Sequence, residues 1–196
     1  MTALLTPPPS RVKVPPLRWT VKEFHDLGDA GYFENRRAFL IDGILYEQGF
    51  MNGPHAIALT LGHDALRPVF GEGWVIRNQV PLVLGLYTDP LPDFAIVRGK
   101  ARDFSTHPTT ADLVMEVSDS TLDYDLTEKA ELYATAGIPE YWVLDLSARV
   151  LHVLRDPGTV AANGTAYRRQ QQFSPDEAVA PLAAPDHAVK VADLLP

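Results

Sequence analysis

The chain has 196 residues, which fits one domain with decorations, and its 46% hydrophobic share is enough to bury a full core. It has no cysteine, which excludes disulfides, thiolate metal sites and cysteine nucleophiles. A formal net charge of −8 argues against an unaided, non-specific nucleic-acid binder. It leaves room for a nuclease, because carboxylates that hold a metal add to the negative total.

Residues 1–16 are rich in proline and predict an extended or disordered arm, followed by a single domain over residues 17–196. The opening stretch lacks the charged start and long apolar centre of a signal peptide. No apolar run is long enough to cross a bilayer, so a soluble cytoplasmic protein is expected. Thr20 reads as the N-cap of a short helix over Val21 to Leu27, ended by Gly28. Phe39 to Glu47 reads as two short strands around an Asp42-Gly43 turn. His55 to Val69 has near-helical apolar spacing, and Gly71 to Gly73 breaks it.

Trp74 to Val80 alternates as a strand does, and Phe94 to Val97 forms a second strand after Pro92. Leu113 to Val117 is almost wholly apolar, the pattern of a strand covered on both faces. Asp125 and Glu128 suggest a capping box for a helix reaching Ala136, with Gly137 and Pro139 stopping it. Tyr141 to Leu144 is a fourth strand. Val150 to Leu154 and Tyr167 to Phe173 read as a pair across Asn163-Gly164, and Ala188 to Leu195 as a short strand or turn. This order predicts an α/β core with a mixed sheet flanked by helices. An extra N-terminal hairpin and extra C-terminal strands complete it. The unit from 112 to 145 predicts a right-handed parallel crossover.

Three polar residues in the central block bear on chemistry. Asp93 follows a proline at a strand start, so its carboxylate can face a cavity; a turn aspartate capping backbone amides has the same sequence appearance. Glu116 interrupts an apolar run, and an ionised glutamate there needs a cation or hydrogen bonds, or forms a salt bridge at the strand end. Alternation puts Val114, Glu116 and Ser118 on one face, with Leu113, Met115 and Val117 on the other. Lys129 shares a helix side with Asp125 and Tyr133 and can reach back to the sheet; equally, it can be a solvated lysine beside Asp125 or Glu131. Together, two carboxylates and an ammonium suit Mg2+ or Mn2+ with a phosphate oxygen, a constellation for phosphodiester hydrolysis.

Leu91-Pro92-Asp93, Leu113 to Ser118 with Thr121, the Asp125, Lys129 and Tyr133 ladder, and Gly137 to Asp145 resemble the PD-(D/E)XK nuclease superfamily. Within it they are most similar to the Uma-two family of restriction endonucleases. Leu40 to Gly43 and His55 fit the same family, and the likeness spans roughly residues 20 to 195. The resemblance implies a restriction-endonuclease-like core and a metal-dependent site, with Asp93 and Glu116 as metal ligands. The superfamily lysine two residues after Glu116 is replaced here by Ser118, and the resemblance moves that role to Lys129 on the next helix. DNA is then the expected substrate.

A homodimer is expected for cutting two strands. Glu47 and His55 are secondary candidates, each also readable as a surface glutamate and a structural histidine. His55 and His63 are too far apart to share a helical metal site, so zinc is discounted. Two rival functions remain: a non-catalytic binding module on the nuclease fold, and a metal phosphoesterase acting on RNA or nucleotides.

Overall fold

A computed structural model of the protein describes residues 15–160 and 164–196. The expected proline-rich arm lies outside the described residues apart from its last two positions, as does Asn163 of the expected Asn163-Gly164 turn.

Helix α1 (Val21–Asp29) starts at a true capping box: Thr20 Oγ1 accepts from the Glu23 N–H, and the Glu23 carboxylate accepts from the Thr20 N–H. It runs through Gly28 instead of stopping there, ending at Ala30. Strands β1 (Ala38–Ile41) and β2 (Ile44–Glu47) pair across Asp42 and Gly43, both at positive φ (50° and 76°). Two positive φ values define the type I′ hairpin turn. Glycine is also needed for space, since a Cβ at Gly43 would lie 2.5 Å from Arg18 Cβ.

Helix α2 (Gly53–Phe70) is capped by Asn52, whose side chain accepts from the His55 N–H, and carries Pro54 in its first turn, where no N–H is required. Six strands make the main sheet: β3 (Trp74–Arg77), β4 (Phe94–Arg98), β5 (Leu113–Ser118), β6 (Glu140–Asp145), β7 (Val150–Thr159) and β8 (Thr165–Phe173). They lie side by side in that order, and only β5 and β6 are parallel, so the sheet is mixed. β3 is shorter than its sequence pattern because Gln79 adopts φ 51°, which no regular strand tolerates.

The β5-to-β6 connection carries two helices, not one. α3 (Leu122–Leu126) and α4 (Glu128–Thr135) meet at Thr127, whose φ of −114° and ψ of −85° interrupt the helix. Asp125 therefore lies within α3 instead of capping α4. Near the C-terminus, β9 (Ala178–Val179) and β10 (Val189–Lys190) form a small ladder, followed by a 3-10 turn over Val191–Leu194.

The alternation expected in β5 sorts the core into two layers. Leu113, Met115 and Val117 join Phe94, Ile96 and Trp142 beneath α2 and the C-terminal segment. Val114 joins Ala95, Tyr141 and Val143 beneath α4, where Ala130 and Tyr133 pack. The α2 layer is tight: a Cβ on Gly62 would lie 2.7 Å from Phe94 Cζ. The hairpin is fastened to the strap before β4 by a bridge between Leu40 and Asp89. His25 Nε2 on α1 adds a contact of 2.7 Å to Asp89 Oδ2. Among the described residues, no helix is long and apolar enough to cross a membrane.

Candidate active site

Pro92 has no N–H to donate, so the β4–β5 ladder cannot continue backward in the ordinary way. Asp93 replaces it with its side chain. Phe94 is opposite Met115 in the antiparallel register, and one further step brings Asp93 beside Glu116. The Val117 N–H donates to Asp93 Oδ2 (2.8 Å), and the Asp93 N–H donates to Glu116 Oε2 (3.2 Å). Two acids, only 4% and 2% exposed, are thus held together at one end of the sheet.

Two side chains fix the other Asp93 oxygen. Gln79 Nε2 donates to Oδ1 (2.9 Å), and His55 Nε2, delivered by the first turn of α2, lies 3.1 Å from the same atom. Gln79 is itself clamped by Arg37, which donates to its side-chain and main-chain oxygens (3.0 and 2.9 Å). Glu116 is held from α4. Tyr133 Oη donates to Oε1 at 2.7 Å, and Lys129 Nζ is 3.1 Å from Oε1 and 3.0 Å from Asp125 Oδ1. Thr121 Oγ1 anchors Asp125 through Oδ2 (2.6 Å).

These contacts set the charges. Burial pushes the Glu116 carboxyl up to about 7; the Lys129 ammonium opposes this, while the neighbouring Asp93 and Asp125 carboxylates reinforce it. Burial also works to raise Asp93, but the bonds from His55, Gln79 and the Val117 N–H together outweigh it and hold Asp93 below the usual range. The Asp93 contact in turn raises His55. For Lys129, desolvation acts to lower the ammonium, yet Glu116 and Asp125 more than offset it and its pKa rises. The raised pKa keeps Lys129 a cation and a donor at neutral pH.

Asp93, Glu116, Lys129, Glu47 and His55 all line one cavity of about 190 Å³ under the β1–β2 hairpin. Glu47 is exposed at its mouth. A larger groove of about 790 Å³ between α2 and the C-terminal segment holds Asp64, Asp186 and Asp193, but these acids are all exposed. Sequence reasoning missed Asp125 as a site residue by reading it as a cap, and did not assign Tyr133 a role. The four-residue spacing of Asp125, Lys129 and Tyr133 was the available signal. Gln79 offered none, since its approach to Asp93 exists only in three dimensions.

Among the described residues, no group of three or more His, Asp or Glu side chains forms a metal cage. Magnesium does not require one, because it keeps several waters and takes one or two carboxylates together with substrate phosphate oxygens. The donor set fits a hard cation: two hard carboxylates, crowded by a third at Asp125, with a single lysine to neutralise them.

The sequence model of the Uma2 (Uma-two) family, described as putative restriction endonuclease, matches residues 21–192. Among solved structures, one similar chain is that of a putative nuclease belonging to DUF820 from Anabaena variabilis ATCC 29413, with a TM-score of 0.68 and 15% identity. The match covers 91% of this chain and 97% of that one, and it gives the nuclease-like α/β fold expected from the sequence. No curated protein matches. Because the family match runs unbroken from α1 through the hairpin, the paired acids and the crossover to the C-terminal turn, the chain belongs to the Uma2 putative restriction endonuclease family.

Proposed function

We propose that this nuclease-family protein is a metal-dependent phosphodiester hydrolase acting on DNA. Asp93 and Glu116 hold Mg2+ or Mn2+, and Lys129 acts at the scissile phosphate. The observation that carries this reading is the Lys129 ammonium 3.1 Å from Glu116 Oε1. It supplies from α4 the cation that Ser118 cannot supply from the strand. A bound divalent ion polarises a phosphoryl oxygen and lowers the pKa of an attached water.

The chain's own residues do the rest. Lys129, held between Glu116 and Asp125, offers a fixed positive charge where negative charge develops on phosphorus. Tyr133 fixes the Glu116 rotamer, and Gln79 and His55 fix Asp93. A cytoplasmic homodimer formed from one domain over residues 17–196 completes the proposal, since most soluble oligomers are symmetric pairs.

One observation favours a second reading. Lys129 and His55 already contact the two acids directly, so the site can be neutralised without a metal, as a binding module on this fold would require. Plasmid and oligonucleotide cleavage with Mg2+ or Mn2+, alongside Mn2+ calorimetry, separates the two. The hydrolase reading expects cleavage and one Mn2+ site in the wild type, both lost in Asp93→Ala and Glu116→Ala. Wild-type Mn2+ binding no tighter than that of the variants, with no cleavage, favours the binding module.

A further inference from the structure

The cavity that holds the acids is also lined by residues of the hairpin, of the segment before β4 and of α4. Phe39, Ile41, Leu91 and Leu132 give an apolar surface facing the same space as Asp93, Glu116 and Lys129. At about 190 Å³ the cavity is smaller than the roughly 300–1,000 Å³ of common ligand pockets, so it has room for one small planar group.

Gln48 also lines this space. Its main-chain N–H is fixed to the Arg37 carbonyl (2.8 Å), while its side-chain Oε1 is buried with no hydrogen-bond partner among the described residues. A buried acceptor left without a donor is costly, and the exocyclic or ring N–H of a nucleobase would satisfy it. Next to it, Phe50 is 100% exposed in the loop between β2 and α2. Phe39 stacks on Tyr46, itself 42% exposed, with ring centroids 5.5 Å apart. The Leu40–Asp89 bridge holds this hairpin in place over the site.

Charge points the same way. Duplex binding draws its affinity from neutralised phosphates. Here, beyond the two acids assigned to the metal, the cavity lining adds Glu47 and Asp125 and offers only Lys129 and His55 as cations, on a chain of net charge −8. Single-strand binding can lean instead on aromatic stacking platforms.

We propose that the cavity between the hairpin and the paired acids takes one unpaired nucleobase beside the scissile phosphate. The substrate class is then a single strand or an unpaired segment of nucleic acid, with Gln48 reading the base and Phe50 stacking on its neighbour. This rests on the hydrolase reading for cleavage, but not for binding.

The test uses the full chain and one labelled oligonucleotide presented single-stranded, in a blunt duplex, and in a duplex with an unpaired flap. Cleavage is followed in Mg2+ or Mn2+, and binding in Ca2+ by fluorescence anisotropy. The expected result is at least tenfold stronger binding, and faster cutting, of the single strand and flap. Phe50→Ala and Gln48→Ala should each shrink that preference by roughly tenfold, the scale of one lost base stack or base hydrogen bond. Phe50 is fully exposed, so its variant should melt like the wild type. Equal or better use of the blunt duplex, or a preference untouched by both variants, overturns the proposal while the hydrolase reading stands. Selective single-strand binding without any cleavage keeps the slot and removes the hydrolase. Neither binding nor cleavage removes both.

Discussion

Glu116→Gln gives the sharpest test of the electrostatics. Burial raises the Glu116 carboxyl from its ordinary 4.5 to about 7, so the folded protein binds that proton more tightly than the unfolded chain does. Stability from this group is fully present below the unfolded value and is lost as pH rises toward the folded value. At about 1.4 kcal/mol per pH unit, the loss between pH 4.5 and 7 is about 3 kcal/mol, an upper figure because the buried Lys129 can adjust.

Glutamine has the shape of the protonated acid, does not titrate, and can still accept from Tyr133, but its NH2 then faces the Asp93 N–H and loses that bond at every pH. Relative to the wild type, the variant should therefore gain about 1–3 kcal/mol between pH 4 and pH 8, on top of a constant loss from the missing Asp93 bond. Urea unfolding followed by tryptophan fluorescence, run from pH 4 to 8.5, measures the difference. The depressed Asp93 has the opposite sign, with stability lost as pH falls, and its bonds to His55, Gln79 and the Val117 N–H are common to both proteins. Saturating Mg2+ should narrow the gap at pH 8 by stabilising the wild type alone, by about 2.7 kcal/mol at a hundred times Kd. A difference that stays flat across the range would refute the reasoning. It would mean that Lys129 fully compensates the burial.

Lys129→Met should lower the cleavage rate about a hundredfold or more at unchanged fold, on the scale of losing one transition-state charge contact. Because the Lys129 pKa is raised, the wild-type rate should show no lysine limb between pH 8 and 10; such a limb would make Lys129 a base. Gln79→Gly relieves the positive φ at that position yet removes the donor to Asp93, so it should keep or gain stability while kcat falls and KM holds. Restored activity in this variant would reduce Gln79 to a turn residue. Gly62→Ala drives a methyl group to within 2.7 Å of Phe94, beside Asp93, and should cost about 1–3 kcal/mol in chemical denaturation.

Much of the fold was legible because its signals are local. The Thr20 capping box, the Asp42-Gly43 turn and the apolar run of β5 each encode a conformation within a few residues. The misreadings occurred where distant residues compete with local pattern. Trp74 to Val80 has strand spacing, but Gln79 is pulled into a left-handed conformation while bonded to Asp93 and Arg37. Asp125 looks like a cap in one dimension, but its carboxylate is recruited by Thr121 and Lys129.

The sequence alone singled out Asp93, Glu116 and Lys129, because an isolated charge inside an apolar strand or on a helix border is conspicuous and costly without a partner. Tertiary structure decided what those charges are worth. Only the antiparallel register puts the Asp93 N–H on Glu116, only the packing of α4 brings Tyr133 and Lys129 to the same oxygen, and only burial lifts that carboxyl toward neutrality. Proton affinity depends on dielectric and on distance to other charges, and neither quantity is a property of a residue's position along the chain.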